Sequence, residues 1–337
     1  LFLFSLDLIL KEKFELKVLK IILFLILILD LWLFWQKYLL IVRPEDIYEK
    51  QKIPETNISD IIYIVSENQI ENGEKYRVYD SSDWTLPQYI AIRNGIELVN
   101  GYDLSIMSKY KNFSTKLFGY QSKNYTCFSK CLGLLNTKYI ISHEKIYDDG
   151  LRLVYQTNRT IKMMPRAFIT ASKYESNETY VYENMKYLPR SFVVHNAKIV
   201  NEDDILDFIS SNDFDPTKEV LITNNKLISK NSSEFKEGNI TFYSPNKIIT
   251  KIDLEEPGYL VLSENWYPGW KAYDNGNKTE VIRVNYILRA VRLDEGSHEV
   301  LFIFDPSSFR IGLFITLLTL ILVSIFLLND IIYYRSR

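Results

Sequence analysis

The run IGLFITLLTLILVSIFLL at Ile311–Leu328 holds 18 residues without a single charge, and no other feature limits the fold as strongly. As a helix it would rise about 27 Å, close to the ~30 Å of a bilayer's hydrocarbon core. The sequence therefore predicts a transmembrane helix over 311–328. A second apolar stretch, IILFLILILDLWLFW at 21–35, carries only Asp30 as a charge and predicts another helix over 21–42. Leu1–Leu10 (LFLFSLDLIL) reads as the end of a truncated span, so the chain is expected to be the C-terminal portion of a longer membrane protein. No small-residue cleavage site follows 21–35, which argues against a signal peptide.

Flanking charge gives an orientation. KEKFELKVLK at 11–20 and the tail 329–337, with Arg335 and Arg337, are basic and are expected in the cytoplasm. Residues 43–310 then face the outside of a multi-pass plasma-membrane protein. Sequons at Asn57, Asn112, Asn124, Asn158, Asn177, Asn231, Asn239 and Asn277 all fall in this segment and predict an N-glycosylated surface. The net charge of −2, with acids and bases interleaved, excludes a nucleic-acid footprint. Cys127 and Cys131 admit two readings, a local disulfide or two buried thiols. With three histidines in the whole chain no metal set is evident, and no Walker or dinucleotide glycine motif suggests a cofactor.

The outer segment divides by pattern. Over 43–238 short helices and strands alternate, predicting a mixed α/β region: short helices in PEDIYEK and in NISDIIYIVSENQ, the second capped by Asn57 or Ser59 with Ile61, Ile62 and Val65 on one face, a strand YRVYD, a helix over Leu104–Tyr110, and strands LLNTKYIIS and LRLVY. A capped helix with Ile205, Leu206 and Ile209 inward precedes a strand from Glu219. MMPRAFIT at 163–170 and YLPRSFVV at 187–194 echo each other, each placing Pro-Arg before an apolar run. Over 239–310 the pattern is all strand, with turns between: ITFYS, KIITKIDL, GYLVLSE, WKAY, EVIRV, YILRAVRL and HEVLFIF. This predicts a β-sandwich of jelly-roll type. The expected fold class is thus an α+β membrane protein, with transmembrane helices at both ends flanking a mixed α/β lobe and a β-sandwich.

Within the β region, ENWYPGWKAYDNG gathers two tryptophans and two tyrosines around two turns. Pro268-Gly269 suits a type II turn and Asn275-Gly276 a primed hairpin turn. Trp266 and Trp270 can fill the corner of the β-domain or offer ring faces to a sugar.

These residues carry a resemblance. ENWYPGWKAYDNGNKTEVIRVNYILRAVRLDEGSHEVLFIFDPSSFRIGL at 264–313 resembles the C-terminal signature of the YfhO-like family of multi-spanning membrane proteins. LPRSFVVHNAKIV, DFDPTKEVLI, GYDLSIMSKYKNF, LLNTKYIIS and the Asp30-Leu31 pair are similar to further pieces of it. The family is similar to GT-C-class glycosyltransferases, which take sugars from polyprenyl-phosphate donors on the outer membrane face. The resemblance implies membrane lipid, a polyprenyl-phosphate sugar and a glycan or lipid acceptor as partners. The catalytic acid of that class lies in the first outer loop of the full chain, a part this stretch lacks, so no residue here is expected to be catalytic and independent enzyme activity stays open. Asp30, Arg43, Trp266, Trp270 and Arg310 are the candidates for donor or acceptor binding. Asp30 stands in an apolar span where a charge is costly, and Arg43 and Arg310 flank the spans at the depth of a lipid phosphate. Anchoring by snorkelling is the competing role for both arginines. A second function class is a non-catalytic membrane-anchored surface protein with a glycan-binding or structural β-domain.

Overall fold

The computed structural model describes residues 59–66, 75–81, 86, 88–100, 107–118, 127–157, 178–223 and 234–335. The chain divides into two units, Leu1–Glu55 and Thr56–Arg337, and all described residues belong to the second. Asp30 and Arg43, the N-terminal spans and the echo segment 163–170 lie outside the described residues.

Among the described residues, three five-stranded sheets and one parallel pair build this unit. The first sheet is mixed. β1 (Arg77–Asp80) pairs in parallel with β2 (Glu97–Leu98) and β3 (Thr137–Ser142), while β4 (Leu151–Thr157) and β5 (Thr179–Asn184) add on antiparallel beyond β3. One face of it packs against α1 (59–66) and α2 (Gln88–Arg93), with Ile61, Val65, Tyr76, Val78, Ala91 and Ile141 buried between them. α3 (Ser108–Leu117) and α4 (Phe128–Gly133) pack in a second core. The helix expected over Leu104–Tyr110 therefore begins at Ser108 and runs on to Leu117, because Phe113 and Leu117 supply its buried stripe.

The second sheet is the middle layer. β6 (Ser191–Val194) pairs with β9 (Lys236–Glu237) and β12 (Gly258–Asn265), and β12 continues to β16 (Leu288–Leu293) and β15 (Ile282–Val284), all antiparallel. Between β6 and β9 the chain makes β7 (Asn196–Ile199), α5 (Ile205–Ser210) and β8 (Glu219–Ile222), with β7 and β8 a parallel pair. Ile205, Leu206 and Ile209 of α5 are buried against the same second core. The third sheet runs β10 (Asn239–Ser244), β11 (Lys247–Leu254), β17 (Gly296–Phe304), β13 (Trp270–Asp274), β14 (Asn277–Thr279). Alternation decides which side chains meet: Ile248, Ile252 and Leu254 of β11, Val300 and Phe302 of β17, Leu260 and Leu262 of β12, and Val291 and Leu293 of β16 share one core between the second and third sheets.

After β17, Asp305-Pro306 lead into α6 (Ser307–Arg335). Its apolar side chains are exposed, among them Phe309, Phe314 and Leu320. The architecture differs here from the expected fold class of an α+β membrane protein with transmembrane helices at both ends. The described chain is mostly β-sheet with few helices, and no helix among the described residues is long and apolar enough to cross a membrane. The transmembrane helices expected at both ends are therefore not found among the described residues. The core of this unit is made by buried strand and helix faces, from Ile61 to Phe302.

Candidate functional site: a buried ion cluster and an aromatic corner

Strand ends from all three sheets converge on Glu264. It stands near the end of β12, with Leu260 and Leu262 preceding it on the alternation that faces the shared core. Its Oε1 accepts hydrogen bonds from Arg77 Nη2 (2.8 Å), Arg190 Nε (2.8 Å) and the Tyr243 hydroxyl (2.9 Å). Arg289 Nη2 lies 3.8 Å from Oε2. Arg190 also donates to both Glu97 oxygens (3.0 and 2.6 Å) and to the Tyr243 hydroxyl (2.8 Å). Arg77 Nη1 donates to the carbonyls of Leu135 (3.1 Å) and Ser263 (2.6 Å), tying β1 to β12.

Electrostatics follow from burial. Burial alone would raise the Glu264 carboxyl, but the positive charges of Arg77, Arg190 and Arg289 overcome it and hold its pKa at about 2. Burial pushes the Tyr243 hydroxyl up to about 12, with the Glu264 charge adding to it. Burial would also lower Arg190, but Glu97 and Glu264 carry it above the usual arginine value. Arg289 is lowered to about 10, chiefly by burial, since Glu264 is its main counter-charge at 3.8 Å. Its Nε and Nη1 have no hydrogen-bond partner among the described residues. Its guanidinium instead lies 3.5 Å from the Trp270 ring. Three arginines, two glutamates, a tyrosine and a tryptophan thus join three sheets at one place.

The aromatic stretch forms the corner beside this cluster. Trp270 packs on Phe304 with centroids 5.4 Å apart, and Tyr267 on the same ring at 6.3 Å. The Trp266 amide donates to Ile287 O (2.6 Å) and its indole N–H to Val281 O (3.4 Å). Gly269 has φ +109°, as the second central position of the Pro-Gly turn requires, and its carbonyl accepts from the Asp305 amide (2.8 Å). Asn275 and Gly276, at φ +48° and +83°, make the primed turn between the paired residues Asp274 and Asn277. Asn275 then grips β17 three times: its amide donates to Glu299 O (3.0 Å), its side-chain amide to Ser297 O (2.9 Å), and its Oδ1 accepts from Glu299 N (3.0 Å). His298 Nδ1 lies 2.9 Å from the Asp274 carboxylate. The signature's Asp-Asn-Gly and Gly-Ser-His-Glu-Val pieces therefore clasp each other.

Arg310, at the start of α6, is exposed and pairs with Asp305 (2.6 Å), which also receives Lys271 Nζ (2.5 Å). The Lys271 hydrogen bond first, and the Arg310 charge, hold the Asp305 carboxyl below the usual range. Asn112, Asn239 and Asn277 are exposed, and the other five sequon asparagines lie outside the described residues. Cys127 and Cys131 are both buried thiols, with Cys131 Sγ donating to Cys127 Sγ at 2.9 Å. That hydrogen bond lowers the Cys127 pKa and, with burial, raises that of Cys131.

Arg77, Glu97, Arg190, Tyr243, Glu264 and Arg289 were not among the residues the sequence singled out. A signal existed for Arg289, a charge in phase with Val291 and Leu293 on a strand whose alternation points that face inward.

A β-domain of paired sheets, joined at one end by a buried ion cluster, is the class that these features define. Residues 216–316 match the family described as bacterial membrane protein YfhO, so the YfhO resemblance is shown over that stretch. It contains Glu264, Arg289, the aromatic corner and the Asp274–His298 pair; Arg77, Glu97 and Arg190 precede it. No curated protein matches the chain. A solved structure that does match is the arabinofuranosyltransferase AftD from Mycobacteria, determined by single-particle cryo-EM, at 10% identity with a TM-score of 0.20. The match covers 42% of this chain and 9% of that one, and at that TM-score the likeness carries no argument.

Proposed function

We propose that the chain is part of a YfhO-like membrane protein of the GT-C glycosyltransferase class, in which sugar comes from a polyprenyl-phosphate donor at the outer membrane face. The β-domain aids acceptor binding and supplies contacts to the donor phosphate; bond-making residues belong to another part of the full-length protein. The observation that carries this reading is the YfhO match over 216–316, whose stretch ends inside α6 at the junction where Trp270, Lys271, Asp305 and Arg310 gather. Arg310 keeps donors beyond the nitrogen that meets Asp305, and a guanidinium can take two phosphate oxygens in parallel.

Arg310→Gln in the full-length protein is expected to lower transfer from a polyprenyl-phosphate sugar by about tenfold or more at equal abundance, the value of one or two charge-assisted hydrogen bonds. Arg310→Lys should restore part of it, because a point charge lacks the planar fork. Radiolabelled transfer in membranes, normalised to protein by immunoblot, reads this directly. Equal rates in all three proteins would remove the donor role.

A second reading, a structural β-domain without a part in transfer, is favoured by the pairing of signature side chains with each other. Glu264 meets Arg289 and Asp274 meets His298. Unchanged transfer together with lost stability in variants of these residues would support it.

A further inference from the structure

On the other side of the aromatic corner lies a half-exposed cluster that the ion network does not use. Glu202, just before α5, forms ion pairs with Lys109 of α3 and Arg283 of β15. Lys109 Nζ stands 5.0 Å over the Tyr286 ring, and the Arg283 guanidinium lies 5.8 Å from the Trp266 ring. The circuit closes through the Trp266 amide, which donates to the carbonyl of Ile287, next to Tyr286. The side chains of Lys109, Glu202 and Arg283 are 42%, 36% and 22% exposed, so the charged edge is open to a ligand.

Backbone strain marks the same place. Asn285 and Tyr286 have φ of +47° and +72°, two consecutive left-handed residues without a glycine. Asn285 has a structural reason, since its amide donates to Leu221 O (2.9 Å) and its Oδ1 accepts from Leu221 N (2.8 Å). For a ring as bulky as that of Tyr286 the conformation is an outlier, and such outliers cluster at ligand sites. The buried Asn285 Nδ2 has no partner among the described residues.

We propose that Trp266, Glu202, Arg283 and Lys109, with the buried Tyr286 ring beneath Lys109, form a subsite for a neutral pyranose of a glycan, which deepens and rests on the acceptor-binding reading above. An indole offers an apolar surface to the C–H face of a sugar ring. The Glu202 carboxylate accepts from hydroxyls, and Arg283 and Lys109 donate to them. Hydroxyls both donate and accept, matching this mixed edge. An anion entering between the two cations would meet the Glu202 charge already there.

The test is equilibrium binding by calorimetry on the full chain in detergent, with no lipid donor present. The probes are neutral trisaccharides (maltotriose, cellotriose, mannotriose), with trigalacturonate and inorganic phosphate as anionic arms. At least one neutral trisaccharide is expected to bind, and Glu202→Gln, Arg283→Gln and Trp266→Phe should each weaken it tenfold or more while circular dichroism stays native. Lys109→Ala, at an exposed position, gives a smaller loss and covers the case in which another variant misfolds. Arg310→Gln should leave this binding unchanged, so failure of the donor reading and failure of this site give different patterns. No neutral binding, binding of the anionic probes alone, or neutral binding that all the cluster variants retain would overturn the proposal.

Discussion

Glu264→Gln is expected to destabilise the fold by about 3–5 kcal/mol, the cost of leaving buried charges without their counter-ion. Three guanidinium groups face this one carboxylate, and removing its charge leaves Arg289 with Trp270 as its nearest compensation. The pH dependence follows in sign. The folded pKa of about 2 lies below the ordinary 4.5, so the stabilisation is fully present above pH 4.5 and is lost as pH falls towards 2. A depression of that size corresponds to about 3 kcal/mol, in line with the substitution. Urea unfolding followed by tryptophan fluorescence at pH 7 and at pH 3 reads both effects. Wild type should lose stability between them, and Glu264→Gln should show less of that loss. A variant as stable as wild type at pH 7 would mean that the arginines are compensated elsewhere.

Gly269→Ala is expected to cost about 2–4 kcal/mol, combining a left-handed backbone with overpacking. At φ +109° an added Cβ would lie 2.9 Å from Pro306 Cβ and 3.0 Å from Phe304 Cε2. Both belong to the exit from β17 into α6, so the turn and that junction have to move apart. Gly276→Ala is the contrast, because φ is +83° there but nothing lies within 4 Å of the new Cβ. It should cost only the left-handed part, about 1–2 kcal/mol. Melting curves of the two variants side by side test this, and equal losses would show that Pro306 and Phe304 yield freely.

Local chemistry made much of the β region legible. Pro268-Gly269 and Asn275-Gly276 turn as their residue types demand, and period-2 runs such as KIITKIDL become strands with Ile248, Ile252 and Leu254 inward. Long-range pairing was not legible. β6, in the segment YLPRSFVV, inserts between β9 and β12, and nothing local in four residues specifies that partner. The ion cluster was hidden for the same reason: Arg77 and Glu264 are 187 positions apart, and each alone reads as an ordinary surface charge. Trp266 and Trp270 were found as a pair, yet the structure separates their surroundings. Trp270 meets Arg289 and Phe304, while Trp266 meets Arg283 beside Glu202. The transmembrane expectation for 311–328 is not met, since no helix among the described residues is long and apolar enough to cross a membrane.

Arg190 and Glu264, both on the second sheet, act together as the centre of the cluster that ties it to Arg77 and Glu97 of the first and Tyr243 of the third. A double-mutant cycle between Arg190→Met and Glu264→Gln, measured by urea unfolding of the full chain in detergent, tests it most directly. A coupling energy of about 2–3 kcal/mol is expected, as for neighbours within one buried network. Additive losses, with coupling below about 0.5 kcal/mol, would contradict it.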